Sequence, residues 1–432
     1  MGRSVVRDPA LAPLGRVRIE WARRRMPVLG AVGRELRSSG VLQGRRVGLA
    51  LHVEAKTACL ALTLKEAGAE VVVAGCNPLS TQDEVAAALA QAGVTVFAVR
   101  GATEEEYFHY LRLVCRTGPD FVVDDGGDLT ALLHTEERGF LSRVAGGTEE
   151  TTTGVRRIRA MEREGVLAFP VVAVNDARTK HLFDNRYGTG QSTWDGIMRA
   201  TNLLVAGKTV VVVGYGWCGR GVAQRARGLG ARVIVCEVDP VAAIEALHDG
   251  FEVLPSLEAA SRGDVFVTAT GCARVLTREH FLRMKDGALL ANAGHFDVEI
   301  DKQDLAALDR QARGGSGAGT GQPDGEAGRE VRPWVREYLL PGGKRLYLLA
   351  EGRLVNLVAG DGHPVEIMDM SFALQALSLG YLAGLTPGTL PPGVHPVPGE
   401  LDEKVARLRL MTGGVQIDEL TEEQRGYLSG WR

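Results

Sequence analysis

Runs rich in valine recur along this chain, each too apolar to leave either face in water, and amphipathic stretches separate them. Strands buried on both faces belong to parallel sheets with helical crossovers, so the pattern restricts the chain to layered α/β architecture. Two series are visible. The first comprises residues 47–51, 70–74, 94–99 and 121–123, with a helical stretch at 56–67; the second comprises 209–213, 232–236, 265–268 and 288–291, and a further strand-like run covers 345–349. At 432 residues the chain is long enough to enclose two such sheets. The expected fold is therefore α/β with two doubly wound parallel-sheet domains and a small C-terminal helical segment.

Composition narrows the partners. Fifty Lys and Arg against 53 Asp and Glu leave a formal charge of −3, so no global basic field exists to hold nucleic acid or an anionic membrane. No uncharged apolar run reaches the roughly 20 residues of a spanning helix, and the start, with Arg3, Arg7 and Arg16, lacks the apolar core of an export signal. Six scattered cysteines without a CxxC pair indicate neither a metal site nor a disulfide framework and fit a reducing cytoplasm. Residues 311–330 hold seven glycines and read as a mobile surface insertion. A cytoplasmic protein with a small-molecule partner and no metal is expected.

The segment KTVVVVGYGWCGRGVAQRARGLGARVIVCEVDP (208–240) orders a buried strand, Gly214-x-Gly216-x-x-Gly219, a helix, a second strand and an acid. Gly214 permits the tight turn, Gly216 lets backbone N–H groups approach a pyrophosphate, and Gly219 lets helix pack on strand. Glu237 can accept from a ribose 2′,3′-diol and repels a 2′-phosphate. The order predicts NAD on a Rossmann domain, the other sheet being Rossmann-like. Asp239 reads as the cap of the next helix rather than a second ribose contact.

Residues 146–196 are dense in Thr, Asp and Asn, more polar than a scaffold needs, and read as an active-site crossing. Polar strings stand where strands end: LHVEAK (51–56), DDGGD (124–128), EETTTG (149–154), NDARTKHLFDN (175–185), AGHFD (293–297) and GDGHP (360–364). Together with STQD (80–83), GHFDVEID (294–301) and LAEGRLVNL (349–357), they resemble the S-adenosylhomocysteine hydrolase family from about residue 21 to about residue 420. The resemblance implies a homotetramer that keeps NAD tightly bound and uses it reversibly. Oxidising the nucleoside 3′-hydroxyl to a ketone acidifies C4′–H, homocysteine thiolate leaves C5′, water adds, and the returning hydride leaves the cofactor unchanged.

By the same resemblance Lys180 and Asp184, with Asn185 beside them, hold and deprotonate the 3′-hydroxyl. Such a pair also suits a plain surface, but Asn175, Asp176 and Asn185 on one crossing imply an organised polar cleft. Asp125 and His52 match the acid–base pair near C4′ and C5′, and His295 lies beside the sugar. Glu150 and Asn175 match substrate contacts. Thr151, Thr152 and Thr153 fall on the nicotinamide side, although three threonines also suit a helix start. Asn356 matches a nicotinamide neighbour, and Thr270 and Asn292, after or at strand ends, join Gly214, Gly216, Gly219 and Glu237 in the cofactor set. His363 matches a residue beside the purine, and Thr57 joins the substrate-binding set. Met368 and Phe372 match apolar lining there, with helix core a nearly equal reading.

Departures from the family are informative. Glu54 and Lys56 stand where the family commonly has Thr and Glu, and on an extended segment His52, Glu54 and Lys56 share one face. Hypoxanthine presents an O6 acceptor and an N1–H donor, the reverse of adenine; Lys56 can only donate and ionised Glu54 only accept. An unpaired buried polar group costs about 1–3 kcal/mol, so two such contacts change preference by roughly tenfold to several hundredfold. LHxExK also resembles the branch associated with S-inosyl-L-homocysteine, and that substrate is expected; the alternative is that Glu54 and Lys56 pair at a helix start. Asp361, replacing Met, fits a remodelled purine side. Trp217 and Arg220 replace Asp and Lys in the glycine loop, and Thr189 a frequent Cys. The sequence as given ends at Arg432 without the family's extended tail, and weaker cofactor retention is the expectation.

Three other functions stay open: an ordinary adenosyl-specific hydrolase, a nucleoside dehydrogenase releasing NADH, and a nucleoside-binding regulator without chemistry. The joint presence of Lys180, Asp184, Asp125, His52 and His295 disfavours the last. Residues 1–187 are expected to begin the substrate domain, 188–357 to form the NAD domain, 358–400 to complete the substrate domain, and 401–432 to form the C-terminal segment.

Overall fold

The computed structural model describes residues 4–314, 327–386 and 388–431. The first series forms β1 (Arg46–Leu51), β2 (Glu70–Gly75), β3 (Thr95–Phe97) and β4 (Phe121–Asp124), extended by β5 (Gly146–Glu149) and β6 (Pro170–Ala173). The last two lie inside the polar stretch; β5 reads GGTE, without the β-branched run that marks the others. The second series forms β7 (Thr209–Val213), β8 (Arg232–Cys236), β9 (Glu252–Val253), β10 (Val265–Thr268), β11 (Ala288–Asn292), β12 (Arg329–Arg332), β13 (Val335–Leu339) and β14 (Arg345–Leu349). The chain then returns to the first sheet through helix Val365–Gly384 and β15 (Gly393–Pro396).

The first sheet is parallel throughout, in the order β15-β6-β5-β4-β1-β2-β3. The second runs β12-β13-β14-β11-β10-β7-β8-β9, and here the expectation of a wholly parallel sheet is corrected: β13 is antiparallel to β12 and to β14. The turns joining these strands are too short for a crossover helix, which a parallel pair requires. The expected insertion at 311–330 is also narrower. Residues 311 and 312 complete helix Lys302–Ala312, Arg329 and Glu330 begin β12, and 315–326 lie outside the described residues.

Alternate residues feed cores on opposite faces of each sheet. Val47, Leu49 and Leu51 of β1 join one cluster and Ala50 another; Val210 and Val212 of β7 face away from Val211 and Val213. Full burial of each such side chain contributes about 1.5–3 kcal/mol. The order reverses between β1 and β4 in one sheet and between β7 and β10 in the other, and the crevice outside such a reversal is where doubly wound sheets take ligands. The terminal segment is helical as expected. Asp402 on helix Gly399–Thr412 accepts from the Arg178 and Thr179 N–H groups at 2.9 Å each and from the Thr179 hydroxyl, clamping the start of the crossing that carries Lys180. Among the described residues no helix is long and apolar enough to cross a membrane.

Candidate active site

Both reversal points open onto one cleft of about 1270 Å³. His52 follows β1 and Asp125 follows β4; the Gly214–Gly219 loop follows β7 and Thr270 follows β10. Between them runs a π-helical stretch, His181–Gly188, continuous with helix Thr189–Thr201. Such wide turns recur at functional sites because they re-aim side chains without ending the helix.

Lys180 is 4% exposed and holds three partners with its ammonium: Asp184 Oδ1 and Asn185 Oδ1 at 2.8 Å each, and Glu150 Oε1 at 3.3 Å. Asn185 donates onward to Asn175 Oδ1 at 3.1 Å, which also accepts from the Thr152 hydroxyl at 3.2 Å. His363 Nδ1 lies 3.2 Å from Asp184 Oδ2. Burial would lift Asp184, but Lys180 and His363 hold it well below the usual range. Burial would lower Lys180, yet Asp184 and Glu150 raise it. Burial pushes Glu150 up to about 7, with Lys180 opposing. A buried cation between two acids is thus poised to exchange one proton near neutrality.

His52 places Nδ1 2.7 Å from the Ser80 hydroxyl, which itself donates to the Asn77 carbonyl, so Nδ1 carries the proton. Its Nε2 then faces Asp125 Oδ2 at 3.4 Å, a hydrogen bond only when one of the two is protonated there. His295 Nδ1 lies 3.6 Å from the other oxygen of Asp125, and the Cys76 thiol donates to Oδ2. Burial lowers His52 to about 4 despite the adjacent Asp125, so the imidazole is neutral at physiological pH and can accept a proton.

On the purine side the extended reading needs correction. Glu54 is extended, but Lys56 already lies in helix Ala55–Glu66, which Glu54 caps by accepting from the Lys56 and Thr57 N–H groups at 2.9 and 3.1 Å. The alternative of pairing holds: Lys56 Nζ sits 2.8 Å from Glu54 Oε2 and donates to the Asp361 carbonyl at 2.8 Å. His52, Glu54, Lys56 and Thr57 still line the cleft. Asp361 does not: its carboxylate turns outward to Arg199 at 2.8 Å, and only its carbonyl serves the site. Met368, Phe372 and His363 line the cleft.

The dinucleotide side follows the glycine logic. Gly214 has φ +97°, a Cβ on Gly219 would meet Gly214 O at 1.9 Å, and a Cβ on Gly216 meets nothing within 4 Å among the described residues. No side chain caps helix Trp217–Gly228, so its first N–H groups face the cleft. Glu237 is fixed by three backbone donors, Tyr215, Val238 and Asp239, at 2.5, 2.6 and 3.1 Å, and Asp239 caps helix Pro240–His248 as expected. Asn356 lines the cleft with a buried Oδ1 that has no partner among the described residues. A loop open to a pyrophosphate, a fixed acid and an unspent amide acceptor fit NAD. Thr151, Thr152, Thr153 and Thr270 line the same cleft. Asn292 is corrected: fully buried and outside the lining, it ties the Gly294, Phe296 and Gly352 carbonyls together. Asn175 and Gly219 also stand behind the lining.

Sequence reasoning missed Ser371 and Gln375, buried donors to Asp184 and Glu150. Two polar residues one turn apart on a helix that besides them carries only Glu366, Asp369 and Ser378 among apolar and small residues were the available signal.

Comparison with known proteins agrees with this geometry. Residues 3–143 match the family model described as S-adenosyl-L-homocysteine hydrolase, and residues 185–362 match that of its NAD binding domain. An S-inosyl-L-homocysteine hydrolase of Methanopyrus kandleri is 58% identical, covering 100% of this chain and 98% of the relative. Adenosylhomocysteinases of Pyrococcus abyssi and Archaeoglobus fulgidus are 57% and 59% identical, covering 99% and 96% of this chain and 97% and 98% of theirs.

Proposed function

Because this chain belongs to the S-adenosyl-L-homocysteine hydrolase family, whose enzymes use NAD, we propose that it hydrolyses the thioether of S-inosyl-L-homocysteine in preference to the adenosyl form, giving nucleoside and L-homocysteine. The carrying observation is that the strand-end loops of both sheets, one suited to a dinucleotide and one holding two proton-handling clusters, meet in a single cleft.

NAD bound along Gly214–Gly219 and Glu237 supplies a reversible hydride acceptor for the sugar. Lys180, Asp184 and Asn185 grip the 3′-hydroxyl, and the Lys180–Glu150 pair takes its proton. His52 with Asp125 takes the acidified C4′ proton and returns a proton to the departing thiolate, while His295 closes over the sugar. Residues 1–187 and 358–400 make up the substrate domain, 188–357 the NAD domain, and 401–432 the terminal segment. A cytoplasmic homotetramer accords with six unpaired cysteines and with the exposed apolar row Val241, Ile244 and Leu247 on one helix.

The purine preference rests on Lys56. An ammonium facing position 6 favours O6 over an amino group, and one of its three protons is uncommitted beyond Glu54 and the Asp361 carbonyl. A second reading, adenosyl preference, draws on the Glu54–Lys56 pairing, which satisfies both charges internally, and on relatives of near-equal identity bearing the other name. kcat/KM measured for both substrates decides between them. The inosyl form is expected ahead by roughly tenfold or more, with Glu54→Thr/Lys56→Glu reversing the order; a wild-type adenosyl preference sinks the proposal. Apoenzyme given one equivalent of NAD should complete many turnovers, and consumption of NAD with each turnover would mark a dehydrogenase.

A further inference from the structure

Helix Val365–Gly384 is apolar over most of its length, yet it buries Ser371 and Gln375 one turn apart on one face. Gln375 has no exposure, and its Nε2 donates to Glu150 Oε2 at 2.5 Å. Ser371 is 1% exposed, and its hydroxyl donates to Asp184 Oδ2 at 3.1 Å. Lys180 contacts the other oxygen of each acid, Glu150 Oε1 and Asp184 Oδ1. Two uncharged side chains on one helix therefore fix both acids from behind the ammonium.

Resting on the reading that this cluster handles the sugar 3′-hydroxyl, we propose that Gln375 and Ser371 are positioning residues: Gln375 holds Glu150 as an ionised acceptor turned toward Lys180, and Ser371 holds Asp184 in the matching orientation. A donated hydrogen bond favours the charged form of a carboxyl group. Burial opposes ionisation of Glu150 most; Lys180 favours it, Asp184 and Asp125 oppose it, and Gln375 favours it. The balance leaves Glu150 at about 7, where loss of one donor is felt at working pH. Asp184 differs: against burial, Lys180 and His363 keep it ionised with or without Ser371.

The test is the rate at which inosine reduces bound NAD in the holoenzyme, followed by reduced-nicotinamide absorbance from about pH 5 to about pH 9. Gln375→Met keeps the volume and loses the donor. Its acid limb is expected to move up by about one pH unit. Gln375→Glu, nearly isosteric and so a safeguard should the Met variant misfold, is expected to move it further, because two carboxyl groups then share one proton. Ser371→Ala is expected to slow the step roughly tenfold without moving the limb. An unmoved limb in the folded Gln375 variants overturns the role of Gln375, and a wild-type rate in Ser371→Ala overturns that of Ser371. Lys180→Met separates the two levels: if it oxidises inosine at the wild-type rate, the reading of the cluster itself fails; if it is inactive while the Gln375 variants keep the wild-type limb, only the positioning role fails.

Discussion

Glu149 ends β5 with no exposure; Oε1 accepts from the Gly126 and Thr151 N–H groups at 2.9 Å each, while Oε2 has no partner among the described residues. Burial first, then Asp124 and Asp125, push its carboxyl well above the usual carboxylate range, with the Gly126 and Thr151 N–H groups opposing. A group raised in this way stabilises fully below the unfolded value and loses that contribution as pH rises through the folded value. Glu149→Gln keeps an oxygen acceptor and cannot ionise. Denaturant unfolding at about pH 5 and about pH 9 should find the variant within about 1 kcal/mol of wild type at the lower pH and losing less stability at the higher one. An equal alkaline loss would show that Glu149 ionises as freely in the fold as out of it. At this scale the sequence reveals residue types better than partners. Lys180, Asp184, His52 and Asp125 are legible because short polar side chains cluster at strand ends. The pairing of Glu54 with Lys56 is legible only as an alternative, since it depends on where a helix starts, for which Glu54 before an alanine-rich stretch is the capping signal.

The strand β7, its glycine loop and helix Trp217–Gly228 form the element on which cofactor binding turns, and two of its glycines serve different ends. A Cβ on Gly219 would lie 1.9 Å from Gly214 O, a contact within the protein; a Cβ on Gly216 meets nothing within 4 Å among the described residues, so its constraint must come from what lies against the loop. Gly219→Ala should therefore lower the melting temperature of the chain without added NAD, by several degrees for the roughly 1–3 kcal/mol of overpacking, and weaken NAD binding as well. Gly216→Ala should melt near wild type alone and lose most of the stabilisation NAD confers. Thermal melts with and without NAD distinguish the two; a Gly216→Ala melt depressed as far as that of Gly219→Ala would assign both glycines to packing. β7 and β10 are legible to the residue because both faces are buried and valine dominates them. β5, written GGTE, gives no such signal: its neighbours, not its composition, make it a strand. The antiparallel run β12 to β14 is hidden for two reasons: β12 is exposed at every residue and so carries no apolar run, and the pattern of β14, which does, carries no direction.

For the whole molecule, what matters is that two sheets hold their half-sites against one cleft. That spacing is set where helix Trp217–Gly228 crosses the π-helical stretch His181–Gly188 and helix Thr189–Thr201. A Cβ on Gly221 would lie 1.7 Å from Arg186 O, and one on Gly190 would lie 2.6 Å from the Gly221 backbone. Beside them Trp194 Nε1 donates to the Val222 carbonyl at 3.0 Å, and the His181 and Trp217 rings stand 5.0 Å apart. In the sequence these are unremarked helix glycines, each carrying about a 1 kcal/mol penalty against alanine; only the fold reveals that backbone must touch backbone there. Gly221→Ala must widen the crossing, moving the dinucleotide loop away from Lys180 and Asp184 while leaving each sheet's own core untouched. Because displacing reacting groups by about 1 Å costs on the order of a hundredfold in rate, sugar oxidation should fall by that factor, while NAD and inosine, measured separately by equilibrium binding, still bind. A variant that binds both and oxidises inosine at the wild-type rate would mean that the two half-sites are brought together by something other than this glycine contact.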